Sequence, residues 1–186
     1  MSDLIGMKIQ TEEKYTRLNA IISNRDSALT NSVAPFQGAS EMLMAIFNTN
    51  GGSHSAVARY QPFWIDDSST TTLGKYQESG KTAIGMKKLD DWTSIYLAAP
   101  QALGPQLFHN IAKQADAFVA GDAGQQLDYS GNFASLHALI SGNYQLHLPP
   151  GKTQVVDALS GKVLSEGTET YTVPVEAQKT YWFFFR

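Results

Sequence analysis

The sequence contains no cysteine. Disulfide bonds, zinc sites built on thiolates and cysteine nucleophiles are therefore excluded. Charged residues are also scarce, at 17% of the chain, and the net charge is only −3. A nucleic-acid-binding surface needs clustered Lys and Arg, so we expect no nucleic-acid partner.

Long apolar runs are missing as well. No window of the sequence approaches 18 consecutive apolar residues, so we expect no membrane-spanning helix and no membrane partner. The first residues include Asp3 and lack the apolar run of a signal peptide. A cytoplasmic location is the expectation, although a fragment cut from a longer secreted chain would look the same.

Apolar and aromatic residues are plentiful. Hydrophobic residues make up 42% of the 186, and there are 3 Trp, 8 Tyr and 9 Phe. A chain of this length buries roughly 70% of its unfolded surface when it folds. The composition therefore predicts a globular protein with one domain, or with two small ones.

One amphipathic helix is predicted, beginning near Pro105 and ending near Phe118. Proline suits the first helical turn. The spacing places six apolar side chains on one face: Leu107, Phe108, Ile111, Ala112, Ala115 and Phe118. His109 lies near the polar side of the helix.

Strands account for most of the remaining chain. Near the N-terminus, residues 4–9 can form a strand, residues 17–23 favour a strand or a short helix, and residues 48–55 have the composition of a flexible loop. Further strands are predicted at residues 58–65, 81–87, 92–98, 126–129, 133–140, 144–148, 153–158, 162–164, 168–175 and 180–185. Asp90-Asp91 and Ser160-Gly161 predict two hairpin turns, and Pro149-Pro150-Gly151 predicts a further turn.

Catalytic motifs fail when their spacing is tested. Gly80-Lys81-Thr82 resembles the end of a phosphate-binding loop, but the required upstream glycine is replaced by Lys75. The four histidines lack the spacing of a zinc motif, although His137 and His147 could be neighbours across adjacent strands. Adjacent Asp66 and Asp67 point apart in a turn and cannot form a glycosidase pair. We therefore predict no catalytic residue, no metal and no cofactor.

Exposed aromatic rings are the remaining candidates for a binding surface. Sugar rings stack on Trp and Tyr faces, so Trp64, Trp92 or Trp182 could bind a glycan, with packing in a core as the alternative. The terminal run from Tyr181 to Phe185 is apolar on both faces of a strand. That pattern predicts a strand covered on both sides, either by a core or by a subunit interface, which makes Phe184 an interface candidate.

Several short sequence motifs, taken in their order along the chain, resemble those of a known family. They are Phe63-Trp64-Ile65-Asp66-Asp67, Leu73-Gly74-Lys75-Tyr76, Gly80-Lys81-Thr82-Ala83, Trp92-Thr93-Ser94-Ile95-Tyr96, Leu136-His137-Ala138 and Val156-Asp157-Ala158. Together they resemble the C-terminal region of β-galactosidase-like glycoside hydrolases, family 42 and its relatives. In that family a catalytic barrel is followed by an amidotransferase-like α/β trimerisation domain and a small β-domain.

The resemblance implies a mostly β, α+β fold in two parts. Residues 1–124 would be a truncated remnant of the amidotransferase-like α/β layer with one major helix. Residues 125–186 would be a small antiparallel β-sandwich. A catalytic barrel alone needs about 250 residues, so this chain has no room for one.

Three functions remain open at this point. The first is a non-catalytic accessory or assembly domain, which forms a homo-oligomer or binds a glycoside hydrolase chain. The second is a stand-alone carbohydrate-binding module for an oligosaccharide. The third is a small hydrolase that uses Asp66 or His137.

Overall fold

The computed structural model describes residues 2–13, 18–37, 42–47, 53–58, 61–99 and 102–186. Within this part of the chain every strand pair is antiparallel. The chain divides into two compact units, Met1–Leu107 and Phe108–Arg186. The division falls inside the major helix, and the predicted boundary at residue 124 stays a prediction.

The first unit contains a short helix followed by nine strands among its described residues. They are α1 (Ser2–Ile5), β1 (Ile9–Thr11), β2 (Ala20–Ile22), β3 (Phe36–Gln37), β4 (Met42–Phe47), β5 (Ser53–Ala58), β6 (Phe63–Ile65), β7 (Thr71–Tyr76), β8 (Thr82–Lys88) and β9 (Thr93–Leu97). Seven of these strands form one sheet in the order β1-β6-β8-β7-β2-β3, with β9 also paired to β8. Strands β4 and β5 form a separate two-stranded sheet.

The middle of the seven-stranded sheet is the core of the first unit. Leu73 and Tyr76 on β7 and Ile84 on β8 are almost completely buried. The predicted hairpin at Asp90-Asp91 is confirmed, because β8 pairs with β9 and Leu89 N donates to Trp92 O at 2.8 Å. Strand β7 was not predicted from the sequence.

The prediction of a strand at residues 4–9 is wrong for most of its length. Residues Ser2–Ile5 are helical, and only Ile9 begins a strand. Gly6 follows the helix with φ at +66°, a left-handed conformation that ends helices and that glycine adopts without strain. A single glycine therefore stops the helix and turns the chain toward β1.

The predicted loop at residues 48–55 is wrong for its last three residues. Ser53 begins β5, which pairs along its whole length with β4. Residues 48–52 lie outside the described residues. The strand at residues 17–23 is confirmed as β2, and Arg17 lies outside the described part.

The second unit begins within α2 (Pro105–Gln114) and continues as strands. The strands are β10 (Gln126–Ser130), β11 (Phe133–His137), β12 (Gly142–His147), β13 (Gln154–Asp157), β14 (Val163–Glu166), β15 (Thr170–Val175) and β16 (Thr180–Phe185). Five of them form a sheet in the order β10-β11-β16-β13-β14, and β12 pairs with β15. Every strand predicted for this region is present, with ends shifted by a few residues.

The two sheets of the second unit enclose a common core. Side chains from both sheets form one buried cluster, which includes Leu136, Leu146, Val173, Phe183 and Phe185. Along each strand every second side chain points into this core, as expected for two sheets that face each other. This is the small antiparallel sandwich that the sequence predicts.

Helix α2 ends four residues before the predicted end at Phe118. Asp116 adopts φ at +52°, Asp116 N donates to Lys113 O, and Ala117 N donates to Ala112 O. This pair of bonds is a Schellman motif, which satisfies the last carbonyl groups and stops the helix. Phe118 therefore lies beyond the helix, in the strand-like segment that follows.

The buried face of α2 also differs from the prediction. Leu107 is buried as expected, but Phe108 is 61% exposed and His109 is buried. Helical periodicity locates an apolar stripe but does not show which edge of the stripe meets other parts of the chain. The placement of His109 on the polar side is therefore corrected.

The observed class is α+β and mostly β, as predicted, with one major helix. All described strand pairs are antiparallel, and the origin of residues 1–124 as a remnant of an amidotransferase-like α/β layer stays a prediction. Neither helix in the described ranges combines the length and apolar character needed to cross a membrane.

Candidate functional site

Strand β16 has an inner and an outer face with different surroundings. Phe183 and Phe185 are buried in the core of the second unit. Because successive side chains of a strand point to opposite faces, Trp182 and Phe184 lie on the outer face. Phe184 is 37% exposed and Trp182 is half-buried. The outer side of this central strand is therefore partly exposed, with Phe184 reaching solvent and Trp182 half-buried.

Neighbouring strands extend this outer face. Phe133 lies directly opposite Phe184, and their ring centroids are 5.4 Å apart. On the other side Phe184 is opposite Val156, which is buried and is in turn opposite the exposed Val163 across a bulge. Residues opposite each other in antiparallel strands share a face. We call Phe133, Val163, Trp182 and Phe184 the outer apolar surface.

The other two predicted aromatic residues lie in the first unit. Lys81 Nζ is 3.4 Å from the ring centroid of Trp64, a cation–π contact, and Lys81 also pairs with Glu12 at 3.0 Å. Trp92 is 46% exposed at the turn between β8 and β9. Of the four aromatic candidates, Trp182 and Phe184 therefore share one face of one strand.

A short segment beside β12 builds a second surface. Residues 119–122 run antiparallel to β12, with His147 N donating to Ala120 O at 2.8 Å and Asp122 N donating to Gln145 O at 3.2 Å. Gly121 bridges to Leu146 in the middle of this pairing. The segment is therefore an added edge of the small sheet, and it brings Phe118 close to His147.

Phe118 is partly packed and partly open. Its ring centroid is 5.4 Å from that of Tyr129, and the side chain remains 43% exposed. A groove of about 520 Å³ lies beside it, lined by Phe118, His147, Leu148, Pro149, Pro150, Gly151, Lys152, Thr153, Glu169 and Thr170. A second depression of about 330 Å³ also has Phe118 and His147 in its wall. We call the two depressions together the Phe118 groove.

His147 has a fixed ring orientation in this groove. Its Nδ1 is 3.0 Å from Val119 O, and because a carbonyl oxygen only accepts, Nδ1 carries the hydrogen. Nε2 is 3.8 Å from Asp122 Oδ1, which is too long for a hydrogen bond. In the neutral ring, Nε2 is therefore an acceptor directed toward the side of Asp122.

His109 belongs to the same electrostatic neighbourhood. Burial lowers the pKa of His109, and the charges of Lys113 and His147 act in the same direction while Asp122 opposes them. The neutral form of His109 is thereby favoured. A neutral, buried imidazole supports the packing of α2 and adds no charge to the groove.

A tight turn forms part of the groove wall. Lys152 N donates to Pro149 O at 3.0 Å, and Gly151 has φ at +79°. Proline followed by a left-handed glycine is the pattern of a type II turn, as the sequence predicted for Pro149-Pro150-Gly151. The turn fixes the flat ring of Pro150 at the wall of the groove.

The residues considered for hydrolysis have structural contacts. Asp66 pairs with Lys8 at 3.1 Å at an exposed position in the first unit. His137 Nδ1 is 2.9 Å from Thr180 Oγ1 in the second unit. His137 and His147 are not cross-strand neighbours, because β11 belongs to the five-stranded sheet, whereas β12 pairs with β15 and with residues 119–122. The prediction that they lie on adjacent strands is wrong.

The described residues contain no group of three or more His, Asp or Glu side chains that could hold a metal ion. Sequence reasoning missed the Phe118 groove, since it assigned Phe118 to the buried face of the helix. The signal for the groove was the Pro149-Pro150-Gly151 turn. The pairing of residues 119–122 with β12 joins residues far apart in the chain, so no local pattern shows it.

No family model matches the sequence, and no curated protein matches it either. Solved structures do match. A β-galactosidase from Bacillus circulans sp. alkalophilus matches all of this chain and 25% of its own, with a TM-score of 0.50 at 14% identity. A family 42 β-galactosidase from G. stearothermophilus matches 100% of this chain and 24% of its own, with a TM-score of 0.45 at 11% identity. A β-galactosidase from Rahnella sp. R3 matches 97% of this chain and 24% of its own, with a TM-score of 0.44 at 14% identity.

At these identities the likeness concerns the fold. The match to the Bacillus circulans enzyme covers every residue of this chain and about one quarter of the enzyme. The resemblance to β-galactosidase-like glycoside hydrolases is thereby confirmed at the level of the fold. The chain shares its fold with about one quarter of a β-galactosidase.

Proposed function

We propose that the chain is a non-catalytic accessory domain, related to β-galactosidase-like glycoside hydrolases, that joins protein subunits. The observation that carries the proposal is the outer apolar surface. It lies at the centre of the five-stranded sheet, where Phe133, Trp182 and Phe184 stand side by side. Trp and Phe are enriched in the centres of protein interfaces.

The surroundings of this surface have the polarity of an interface rim. On the edge strand β10, the residues opposite His137, Ser135 and Phe133 are Gln126, Asp128 and Ser130. Cross-strand partners share a face, so polar side chains border the apolar row. An apolar centre with a polar rim is the usual layout of a protein–protein interface. A second copy of this chain is the proposed occupant.

Carbohydrate binding through the tryptophans has less support. The ring of Trp64 already carries Lys81, so that face is occupied. Trp182 lies on the same face of β16 as Phe184, whose ring centroid is 5.4 Å from that of Phe133. This group of apolar rings favours assembly at Trp182 over sugar stacking.

The native mass in solution tests the proposal. We expect a discrete dimer or trimer of the 20.3 kDa chain that persists on dilution, measured by light scattering after size exclusion. Phe184→Thr keeps a residue that favours strands and removes the exposed ring, so it should shift the mass to that of the monomer.

Ile140→Thr is the matched control. Ile140 is 65% exposed in the same unit but lies beyond the end of β11. It should leave the mass unchanged, and circular dichroism should show that both variants fold. A wild-type chain that is monomeric at every concentration contradicts the proposal, as does an oligomer that Phe184→Thr leaves intact.

A further inference from the structure

The Phe118 groove has the size of a ligand site. Its larger depression measures about 520 Å³, within the roughly 300–1,000 Å³ of small-molecule pockets. The smaller depression of about 330 Å³ shares Phe118 and His147 with it. Two adjoining depressions with a common wall can hold two linked rings. All the residues that line them belong to the second unit.

The apolar part of the groove is flat and already in place. The open side of Phe118 faces solvent, while Tyr129 supports the ring from within the fold. Pro150 is fixed by the hydrogen-bonded turn at Pro149–Lys152. An aromatic face and a proline ring suit a ligand with one flat apolar side, such as the C–H face of a sugar ring.

The polar part of the groove offers donors and acceptors in balance. Lys152 donates only, Glu169 accepts only, and the hydroxyl groups of Thr153 and Thr170 do both. In its neutral form His147 adds the Nε2 acceptor, because Nδ1 is committed to Val119 O. A ligand with many hydroxyl groups, each able to donate and to accept, matches this set.

The charges of the lining argue against an ionic ligand. One lysine and one glutamate line the larger depression, and one lysine and one aspartate line the smaller one, Lys113 and Asp116. An anion would meet a carboxylate in either depression, and a cation would meet an ammonium group. Opposite charges in equal number therefore favour a neutral ligand.

We propose that the Phe118 groove binds a neutral carbohydrate of two or more rings, with one ring stacked on Phe118. The site is separate from the outer apolar surface and does not depend on the proposed assembly function. It also differs from the tryptophan sites expected from the sequence.

The test is a titration of the ¹⁵N-labelled full chain, followed by amide chemical shifts. The probes are lactose, a galactose trisaccharide and a glucose trisaccharide, with galactitol as a control that has hydroxyl groups but no ring. We expect at least one of the cyclic sugars to shift the amides of Phe118, His147 and Gly151 in a saturable manner. Galactitol should leave them unchanged, because an open chain has no flat face to stack.

Two substitutions locate the contact. Phe118→Ala should weaken binding about tenfold, since it removes the stacking ring. Phe108→Ala is the matched control, because Phe108 is an exposed phenylalanine that is not part of the groove. It should leave the affinity unchanged. The amide spectrum itself shows whether each variant is folded.

The proposal is overturned if none of the three cyclic sugars shifts these amides, if galactitol shifts them equally, or if Phe118→Ala and Phe108→Ala bind alike. Shifts confined to Trp182 and Phe184 would also overturn it. The native mass, measured on the same samples, reports the assembly function separately. Loss of sugar binding in a chain that stays oligomeric would thus leave the proposed function standing.

Discussion

At the scale of single residues, Asp67 is the most heavily hydrogen-bonded carboxylate among those described. It accepts from Ser69 Oγ at 2.6 Å and Ser69 N at 2.9 Å, and from Lys87 Nζ at 2.9 Å. Lys8 N adds a longer bond of 3.3 Å. These donors, Ser69 and Lys87 foremost, hold the pKa of Asp67 far below its ordinary value. The carboxylate ties the turn after β6 to β8.

This pKa predicts a pH-dependent contribution to stability. A carboxyl whose pKa is lower in the folded than in the unfolded chain stabilises the fold above about pH 4. That contribution is lost progressively as the pH falls below this value. Asp67→Asn should therefore lower the free energy of unfolding at pH 7 by on the order of 1 kcal/mol, and the difference should shrink toward pH 2. Urea unfolding at several pH values measures it.

The neighbouring Asp66 supplies the control. Its side chain and that of Lys8, its partner, are both more than half exposed. Exposed ion pairs contribute little, so Asp66→Asn should change stability by less than about 0.5 kcal/mol at either pH. An equal loss for both substitutions would show that the contacts of Asp67 are not special.

At the scale of elements, the edge formed by residues 119–122 depends on a close approach to β12. A Cβ atom added to Gly121 would lie 2.5 Å from Tyr144 Oη and 2.9 Å from its ring. Tyr144 is buried and donates to Asp122 O at 2.7 Å. Burial, with Asp122 nearby, raises the pKa of Tyr144 to about 12, so the hydroxyl remains a donor at neutral pH. Glycine is required here by space.

Gly121→Ala should therefore destabilise the second unit by about 1–3 kcal/mol, the usual cost of overpacking. Tyr144→Phe removes the oxygen that the new methyl group meets first. In a double-mutant cycle, the two changes together should cost clearly less than the sum of their separate effects. Thermal or urea unfolding of the four proteins measures this coupling, and strict additivity would contradict the steric explanation.

Elements also differ in how far local sequence predicts them. The strands of the second unit could be predicted from the alternation of apolar and polar residues and from turns such as Pro149-Pro150-Gly151 and Ser160-Gly161. The glycines of these two turns have positive φ, as the turns require. Strand β7 was missed, because Thr71–Thr72 reads equally as a polar loop and its partners β2 and β8 are distant in sequence. The Phe118 groove was missed for the same reason, since it needs the pairing of residues 119–122 with β12.

At the scale of the whole molecule, each compact unit has buried side chains of its own. Ile84 is fully buried in the sheet of the first unit, and Leu146 is fully buried in the sandwich of the second. A compact unit with its own core can unfold by itself. Local openings should therefore be confined to the unit in which they begin.

Core truncations in each unit test this expectation. Leu146→Ala should cost about 2–5 kcal/mol and speed amide hydrogen exchange in β10–β16, while leaving exchange in β7–β9 unchanged. Ile84→Ala should do the reverse. Equal acceleration across both units in either variant would show that the chain unfolds as a single cooperative body.

The position of β16 has a consequence for synthesis on the ribosome. This strand follows the other four strands of its sheet in sequence, yet it lies between β11 and β13. Until it has been translated and released from the exit tunnel, β10–β11 and β13–β14 can exist only as two separate hairpins, and an isolated hairpin is marginally stable at best. The nascent second unit therefore exposes two unpaired strand edges until β16 emerges, and such edges are open to pairing with other chains.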